Sequence, residues 1–178
     1  MISKIIIFTD LDGTLLHSET FEFEKIRQYI KNLLSKNISI IPNSSKTKAE
    51  ILNFCHELKA ELPFIAENGA AIYNMNLINS DFPEKIILSR DKDEILDVFL
   101  KKIPKKFISK CKFVLKLKKD EQLKIFGLSE KQLSYASDRE FSVPLIFQGN
   151  KVEKNNLFKL VSDMGLTMQE GCLLYTSD

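Results

Sequence analysis

The first part of the chain alternates short apolar runs with segments that have the spacing of amphipathic helices. Residues 4–9 form a continuous apolar run rich in isoleucine, which predicts a strand buried on both faces of a parallel sheet. Between residues 20 and 36 the apolar positions recur every three or four residues, so this segment predicts a helix with one apolar face. That face is formed by Phe23, Ile26, Ile30, Leu33 and Leu34.

A second strand, a second helix and a third strand follow with short connections. Residues 38–41 predict a strand, and Ser45 or Thr47 is suited to cap a helix that runs through Leu58. The remaining predicted elements are a strand at 63–66 and a hairpin arm at 70–73. The order strand, helix, strand, helix, strand is typical of a doubly wound α/β unit.

The regular alternation ends near residue 80, which we take as a domain boundary. Beyond it, strands and helices mix without a strict β-α-β order, so residues 81–171 are predicted to form an α+β module. The predicted elements are strands at 84–88 and 141–147 and helices at 91–102, 129–138 and 151–164, with residues 123–127 leading into a loop.

The α+β module has a different charge balance from the first 80 residues. Residues 91–131 contain twelve lysines and seven acidic residues, whereas residues 1–80 contain eight basic and nine acidic residues. The lysine excess is typical of a solvated surface, and it also suits a module that attracts a small anionic molecule. Nucleic acid is not an expected partner, because the lysines are not interleaved with aromatic residues or glycine. No obligate protein partner is evident from the pattern.

Apolar run lengths and cysteines indicate where the protein works. No apolar run approaches the roughly 20 residues that a membrane-spanning helix needs, so no membrane partner is expected. The N-terminal apolar run is too short for a signal peptide. Cys55, Cys111 and Cys172 fit neither a zinc site nor a disulfide framework. We therefore expect free thiols and a cytoplasmic location.

Two aspartates follow the first predicted strand, in the string D-L-D-G-T at residues 10–14. A parallel strand delivers such residues to the carboxyl edge of the sheet, where ligands bind in α/β architectures. Asp10 and Asp12 repel each other unless a cation lies between them, and hard oxygen ligands suit Mg²⁺. Gly13 permits a sharp turn, and Thr14 offers a hydroxyl and backbone N–H groups that suit a phosphate. Taken alone, a D-x-D pair can also be a capped turn.

The longer string I-I-I-F-T-D-L-D-G-T-L, at residues 5–15, resembles the first motif of the haloacid dehalogenase superfamily of phosphotransferases. The resemblance implies an α/β fold, with a haloacid-dehalogenase-like Rossmannoid parallel sheet and an inserted α+β cap domain. It implies that Asp10 is the nucleophile that forms an aspartyl-phosphate and that Asp12 is the general acid and base. The implied Mg²⁺ ligands are Asp10 and the backbone carbonyl of Asp12. Ser44 matches the residue that hydrogen-bonds the transferring phosphoryl group, although a serine at this point can instead cap a helix.

Four later strings resemble one branch of the superfamily, the mannosyl-3-phosphoglycerate phosphatases, in their order and spacing. They are S-S-K-T-K-A-E (44–50), P-F-I-A-E-N-G-A-A-I-Y (63–73), F-G-L-S (126–129) and D-R-E-F-S-V-P-L-I-F (138–147). In that branch the cap is inserted after the third core strand. The resemblance implies hydrolysis of a glycosyl-3-phosphoglycerate to the glycosylglycerate and phosphate.

A substrate of this kind carries a phosphate and a carboxylate, and several polar residues are suited to it. Arg139 offers a planar fork for either anion, and Lys46 lies two residues past the motif serine. The residues expected to contact substrate are Thr14, Lys46, Glu67, Asn68, Gly69, Arg139 and Glu140. Simpler alternatives are a solvated ion for Lys46, a structural pair between Arg139 and Glu140, and a turn at Asn68-Gly69.

Two motifs that the family pattern requires are not found in the chain: a lysine motif and an acidic G-D-x-x-N-D string. Residues 172–178, C-L-L-Y-T-S-D, depart from the family pattern and resemble translated adaptor sequence. We therefore expect that residues 1–80 are the N-terminal part of the core, that 172–178 are a non-native tail, and that the C-terminal part of the core is missing. In such a chain the strand that precedes Asp10 is expected to have an open edge and an uncovered apolar face, so the chain is expected to be poorly soluble. It is also expected to bind Mg²⁺ weakly and to be nearly inactive.

The leading hypothesis for function is a Mg²⁺-dependent phosphomonoester hydrolase that acts on an anionic phosphosugar, with mannosyl-3-phosphoglycerate as the first candidate. An alternative is a related phosphatase for glucosyl-3-phosphoglycerate, sucrose phosphate or a hexose phosphate. A second alternative is a chain that binds a phosphosugar without hydrolysing it, although a pure binding protein has no use for the nucleophile Asp10.

Overall fold

The computed structural model describes residues 5–17, 20 and 22–170, and these residues form two compact units. The first unit extends to Ser89 and the second begins at Arg90. The sequence predicts a boundary at residue 80, but strand pairing keeps residues 81–89 with the first unit. The assignment of the units as phosphatase core and cap stays a prediction, and the expected tail at 172–178 lies outside the described residues.

The strands and helices of the first unit follow the predicted order. They are β1 (Ile5–Thr9), α1 (Glu24–Ser35), β2 (Ile38–Pro42), α2 (Lys48–Leu58), β3 (Phe64–Ala66), β4 (Ala71–Tyr73) and β5 (Lys85–Ile87). β1 and β2 pair in parallel, with Ile5 opposite Ile38, which confirms the parallel arrangement. β3, β4 and β5 form an antiparallel sheet, and a parallel bridge between Asn43 and Ile65 links it to the end of β2.

β1 is more exposed than its apolar sequence predicts. Ile5 is 54% exposed and Phe8 is 61% exposed, so β1 is not buried on both faces; an uncovered apolar face is what is expected of a chain that lacks the rest of the core. Within the described residues β1 also has one open edge, because its neighbouring strand is β2 alone. An apolar strand becomes fully buried only when layers cover both of its faces.

The core of the first unit forms where α2 packs against the strands. Ile51 and Leu58 on α2 and Phe64 on β3 are fully buried. Cys55 lies on the same face of α2, and burial raises the pKa of its thiol to about 11. At neutral pH this thiol is therefore protonated and contributes packing rather than reactivity.

The second unit packs helices around a short strand pair. Its elements are α3 (Lys92–Lys102), α4 (Lys105–Ile108), β6 (Cys111–Phe113), α5 (Lys119–Phe126), α6 (Glu130–Ala136), β7 (Leu145–Phe147) and α7 (Lys151–Ser162). β6 and β7 are antiparallel, with Cys111 opposite Phe147. The buried centre of the unit is formed by Phe99, Ile103, Phe107, Leu157 and Val161.

The structure of the second unit differs from the sequence predictions in several places. Residues 123–127 lead into a short loop, as predicted, but residues 123–126 are the end of a helix that was not predicted, α5, which Gly127 terminates with a left-handed φ of 64°. The predicted strand at 141–147 is limited to its last three residues, in β7. β6 was not predicted, because a strand of three residues is too short to show a clear alternation of apolar and polar positions.

The helices of the described residues are short, and two of the three cysteines are seen as free thiols. α1 and α7 have 12 residues each, and none of the described helices is long and apolar enough to cross a membrane. Cys55 and Cys111 are free thiols, as expected. Cys172 lies outside the described residues.

The buried centre of the second unit gives the first testable prediction. Leu157 is fully buried on α7, whereas Val152 on the same helix is 68% exposed. Leu157→Ala is expected to lower the free energy of unfolding by about 2–5 kcal/mol, because it leaves a cavity in a packed core. Val152→Ala is the matched control and is expected to change it by less than about 0.5 kcal/mol. Urea unfolding followed by circular dichroism checks both values, and equal effects would contradict this packing.

Candidate functional site

The loop that follows β1 is a closed turn built around Leu11. The Leu11 side chain is fully buried, and its carbonyl oxygen accepts hydrogen bonds from the N–H groups of residues 14–16 at 2.7 to 3.2 Å. Gly13 has a φ of 72°, in the left-handed region that glycine adopts without strain. The turn therefore gives Asp12 a fixed backbone. The Thr14 N–H, expected to face a phosphate, is used inside the turn, whereas Thr14 itself is exposed.

Asp10 is the first residue after β1 and is exposed. Its Oδ1 accepts a hydrogen bond from the N–H of Leu11 at 2.7 Å, and the hydroxyl of Thr9 donates to its carbonyl oxygen at 3.0 Å. These contacts hold the carboxylate at the carboxyl end of β1, which is the edge of the sheet that the sequence predicts. Its exposure leaves the carboxylate accessible to a ligand from solvent.

The segment after β2 is tied to the ends of β1 and β3. The N–H of Asn43 donates to the carbonyl of the last residue of β1 at 2.8 Å, and the N–H of Ser44 donates to the carbonyl of Ile65 at 3.1 Å. Ser44 is buried, and its Oγ accepts a hydrogen bond from the N–H of Lys46 at 3.3 Å. The residue that caps α2 is Thr47, so Ser44 is not the helix cap.

Lys46 lies between two carboxylates. Its Nζ is 3.0 Å from Oδ1 of Asp12 and 3.4 Å from Oε1 of Glu50. The Lys46 side chain is only 11% exposed, so the alternative of a solvated surface ion is wrong. This pairing also ties the Asp12 carboxylate to the segment after β2.

Glu50 is the residue of this group that sequence reasoning missed. The string T-K-A-E at residues 47–50 has the spacing of a capping box, and Glu50 lies four residues after Lys46. Both signals are present in the sequence. A glutamate with this spacing is expected in any capped helix, so the spacing alone does not mark a functional site.

The turn after β3 is strained and is anchored to the segment after β2. Glu67, Asn68 and Gly69 have φ values of 49°, 60° and 90°, all in the left-handed region. The N–H of Glu67 donates to the carbonyl of Lys46 at 2.9 Å, and the N–H of Asn68 donates to the carbonyl of Ser44 at 3.0 Å. The turn also joins β3 to β4 as a hairpin, so the turn alternative holds, and the predicted contact of these residues with substrate stays a prediction.

Arg139 and Glu140 belong to the second unit, between α6 and β7. The Arg139 guanidinium donates a hydrogen bond to Oγ of Ser142 at 2.8 Å, and the Glu140 carbonyl accepts one from the N–H of Lys92 at 2.8 Å. Both residues therefore have local structural contacts, and their predicted contact with substrate stays a prediction.

Comparison with known proteins places this site in a family. The family model described as haloacid dehalogenase-like hydrolase matches residues 7–163, which is most of the chain. The chain belongs to the haloacid dehalogenase-like hydrolase family. The match includes the turn after β1 and extends through most of the second unit, as the resemblance of residues 5–15 predicts.

Two curated relatives of this hydrolase family are both named glucosyl-3-phosphoglycerate/mannosyl-3-phosphoglycerate phosphatase. The protein from Persephonella marina is 34% identical over 179 residues, covering 96% of this chain and 65% of that protein. The protein from Methanococcoides burtonii is 46% identical over 70 residues, covering 39% of this chain and 26% of that protein. The chain thus spans less than two thirds of the length of these relatives. The names of both relatives include mannosyl-3-phosphoglycerate phosphatase, which is the branch that the sequence resembles.

A solved structure from Thermoplasma acidophilum has the same fold. It superposes with a TM-score of 0.59 at 14% identity, and the alignment covers 97% of this chain and 62% of that one. At this identity the likeness supports the α/β fold alone.

The resemblance implies Mg²⁺ at the turn after β1, and the donors there are hard oxygen atoms. Because Oδ1 of Asp12 pairs with Lys46, the suitable donors are the exposed Asp10 carboxylate and the Asp12 backbone carbonyl. These fit Mg²⁺, which usually keeps several waters and takes few protein ligands. Within the described ranges, no group of three or more His, Cys, Asp or Glu side chains is placed to hold a metal ion.

The strained turn after β3 gives the second testable prediction. A Cβ at Gly69 would meet nothing within 4 Å, so the cost of Gly69→Ala comes from its φ of 90° alone. We expect Gly69→Ala to destabilise the first unit by about 1 kcal/mol. Gly69→Asn should cost less, because asparagine adopts left-handed conformations more readily. Urea unfolding of both variants checks the order, and a neutral Gly69→Ala would contradict a left-handed residue at this position.

Proposed function

We propose that the protein is a Mg²⁺-dependent phosphomonoester hydrolase that works through an aspartyl-phosphate on Asp10. The observation that carries the proposal is that one turn contains two carboxylates, of which one is exposed and the other is held in position. Asp10 is exposed at the end of β1, and Asp12 is held by Lys46 at 3.0 Å. A nucleophile and a proton carrier are the two groups that ester hydrolysis through a covalent intermediate requires.

The proposed reaction has two steps. In the first, a carboxylate oxygen of Asp10 attacks phosphorus, the bond from phosphorus to the ester oxygen breaks, and Asp12 gives its proton to the leaving alcohol. In the second, water attacks the phosphoryl group, its proton passes to Asp12, and the bond between phosphorus and the Asp10 oxygen breaks to release phosphate. Ser44 is proposed to hydrogen-bond the phosphoryl oxygens. The Asp10 carboxylate and the Asp12 carbonyl would hold Mg²⁺, which would supply positive charge that offsets the phosphate.

The proposed substrate is an anionic phosphosugar, with mannosyl-3-phosphoglycerate or glucosyl-3-phosphoglycerate as the first candidates. Support comes from the relative that aligns with 96% of this chain and bears both names. The phosphoglycerate group adds a carboxylate, for which Arg139 is the proposed partner. The remaining proposed contacts are Thr14, Lys46, Glu67, Asn68, Gly69 and Glu140. No nucleic acid, membrane or protein partner enters the proposal.

The covalent step gives the third testable prediction. The assay uses Mg²⁺ and the full-length protein, meaning the chain together with the C-terminal part of the core that the sequence analysis expects. In this protein Asp10→Asn is expected to abolish turnover of p-nitrophenyl phosphate, because an amide is not a nucleophile. Asp12→Asn is expected to lower turnover about 100- to 10,000-fold through loss of the proton carrier. Acid-quenched Asp12→Asn should carry a phosphoryl group that intact-mass measurement detects, since the nitrophenolate leaves without a proton.

The matched control for these variants is Asp97→Asn, which removes an exposed carboxylate on α3 whose partner is Lys101. It should keep wild-type turnover. Near-native turnover in Asp10→Asn, or a phosphoryl group retained on that variant, would show that Asp10 is not the nucleophile.

Substrate preference gives the fourth testable prediction. Released phosphate is measured for the full-length protein with mannosyl- and glucosyl-3-phosphoglycerate, sucrose phosphate and hexose phosphates. We expect kcat/KM to be at least about tenfold higher for the phosphoglycerates, because a second anion adds a charge-assisted contact. Arg139→Lys should reduce the ratio of kcat/KM between the phosphoglycerates and the hexose phosphates, since lysine lacks the planar guanidinium that binds a carboxylate through two hydrogen bonds. A higher kcat/KM for the hexose phosphates would instead favour the related sugar phosphatase.

A further inference from the structure

Glu50 uses its two carboxylate oxygens for two different partners. Oε2 accepts a hydrogen bond from the N–H of Thr47 at 2.9 Å, while Oε1 lies 3.4 Å from Nζ of Lys46. The Thr47 hydroxyl accepts in return from the N–H of Glu50 at 3.1 Å, which completes a capping box at the start of α2. One carboxylate therefore belongs both to a helix cap and to an ion pair.

The cap by itself does not require a carboxylate. At the start of α6, Ser129 and Gln132 form the same capping box, in which the Gln132 amide oxygen accepts from the N–H of Ser129 at 2.9 Å. An amide has one acceptor oxygen, which is enough for this bond. The second oxygen of Glu50 is therefore available for a different purpose, and in this structure it faces Lys46.

The Lys46 ammonium contacts two carboxylates, those of Asp12 and Glu50, and together they hold it more firmly than a single ion pair would. A lysine side chain has high rotamer entropy, so a single exposed ion pair fixes it poorly. Here the Lys46 and Glu50 side chains are only 11% and 14% exposed, which reduces screening of their charges by water. Glu50 is itself fixed, because the next residue, Ile51, is fully buried in the core.

We propose that Glu50 is a positioning residue of this site, which holds the Lys46 ammonium against Asp12 and thereby fixes the direction of the Asp12 carboxylate. This role rests on the proposed function, in which Asp12 gives and takes the proton. The proposed reaction assigns Glu50 no contact with the phosphate ester, and the partners of its carboxylate are Thr47 and Lys46. It acts through Lys46, which connects the start of α2 to the turn after β1.

Glu50→Gln separates the two roles of this side chain. The single amide oxygen can accept from the N–H of Thr47, which preserves the cap, and the amide NH₂ then faces an ammonium that it cannot bind. In the full-length protein with Mg²⁺, kcat is expected to fall about 10- to 100-fold as Asp12 loses its fixed orientation. The thermal midpoint should stay close to wild type, because the cap is kept. KM is expected to change less than kcat, because Glu50 acts on the proposed substrate contact Lys46 only indirectly.

Two matched controls distinguish the ion pair from a general loss of negative charge on α2 and from a loss of the helix cap. Glu57→Gln removes an exposed carboxylate from the same helix, where its side chain accepts a hydrogen bond from Asn53 at 2.8 Å. Thr47→Ala removes the other half of the capping box and should lower the thermal midpoint by about 2–4 °C. Both controls should keep kcat within about twofold of wild type.

A second readout does not depend on activity. The Lys46 ammonium signal is followed by ¹⁵N NMR in protein labelled at lysine and is assigned by its loss in Lys46→Arg. A held ammonium exchanges slowly enough to be seen, so the signal is expected in wild type and Glu57→Gln and is expected to be lost in Glu50→Gln. An unchanged signal together with unchanged kcat in Glu50→Gln overturns the proposal. A parallel fall of stability and kcat in both Glu50→Gln and Thr47→Ala also overturns it, since the role is then the cap alone.

Failure of the proposed function gives a different pattern. If the wild-type full-length protein hydrolyses no phosphate ester while its Lys46 signal still depends on Glu50, the ion pair stands but the reaction assigned to Asp12 is wrong, and the positioning role is overturned with it. If wild type is active and Glu50→Gln is equally active, the positioning role alone is overturned.

Discussion

Backbone hydrogen bonds between the segments that follow β1, β2 and β3 hold the candidate site together. Asn43 donates to the end of β1, Ser44 donates to Ile65 of β3, and Asn68 donates back to the carbonyl of Ser44. Backbone groups removed from water require such partners, so each segment takes the position that satisfies its neighbours. The chemistry-bearing side chains stand on these segments. Their arrangement therefore follows from strand order and backbone pairing before any side chain contributes.

The net charge of the site limits what can bind there. Asp10, Asp12 and Glu50 lie in or beside the turn after β1 with Lys46 among them, so the formal charge of the group is negative. A phosphate ester is an anion and is repelled by such a group unless positive charge is added. A divalent cation held by the Asp10 carboxylate and the Asp12 carbonyl would supply that charge. The donor atoms and the charge balance are both compatible with the Mg²⁺ of the proposed function.

The parts of the fold and site that the sequence predicts are those encoded by local patterns. The apolar run of β1, the helical spacing of α2 and the string at residues 10–14 each act over a few residues. The burial of β1 depends on neighbouring layers rather than on the strand itself, so its apolar pattern taken alone predicts too much burial. α5 was missed because its apolar residues cluster near its end. Glu50 was missed because its cap spacing is common to many helices, and only the three-dimensional contact with Lys46 distinguishes it.

The left-handed turn at Glu67–Gly69 has a consequence for how the site moves. Non-glycine residues in this conformation store strain, and the hydrogen bonds to the carbonyls of Lys46 and Ser44 oppose its release. Relaxation of the turn therefore requires those bonds to break, which also loosens the segment that carries the lysine and the serine. Local opening of this edge of the sheet is thus a cooperative event with a shared free energy, rather than the independent fluctuation of three loops.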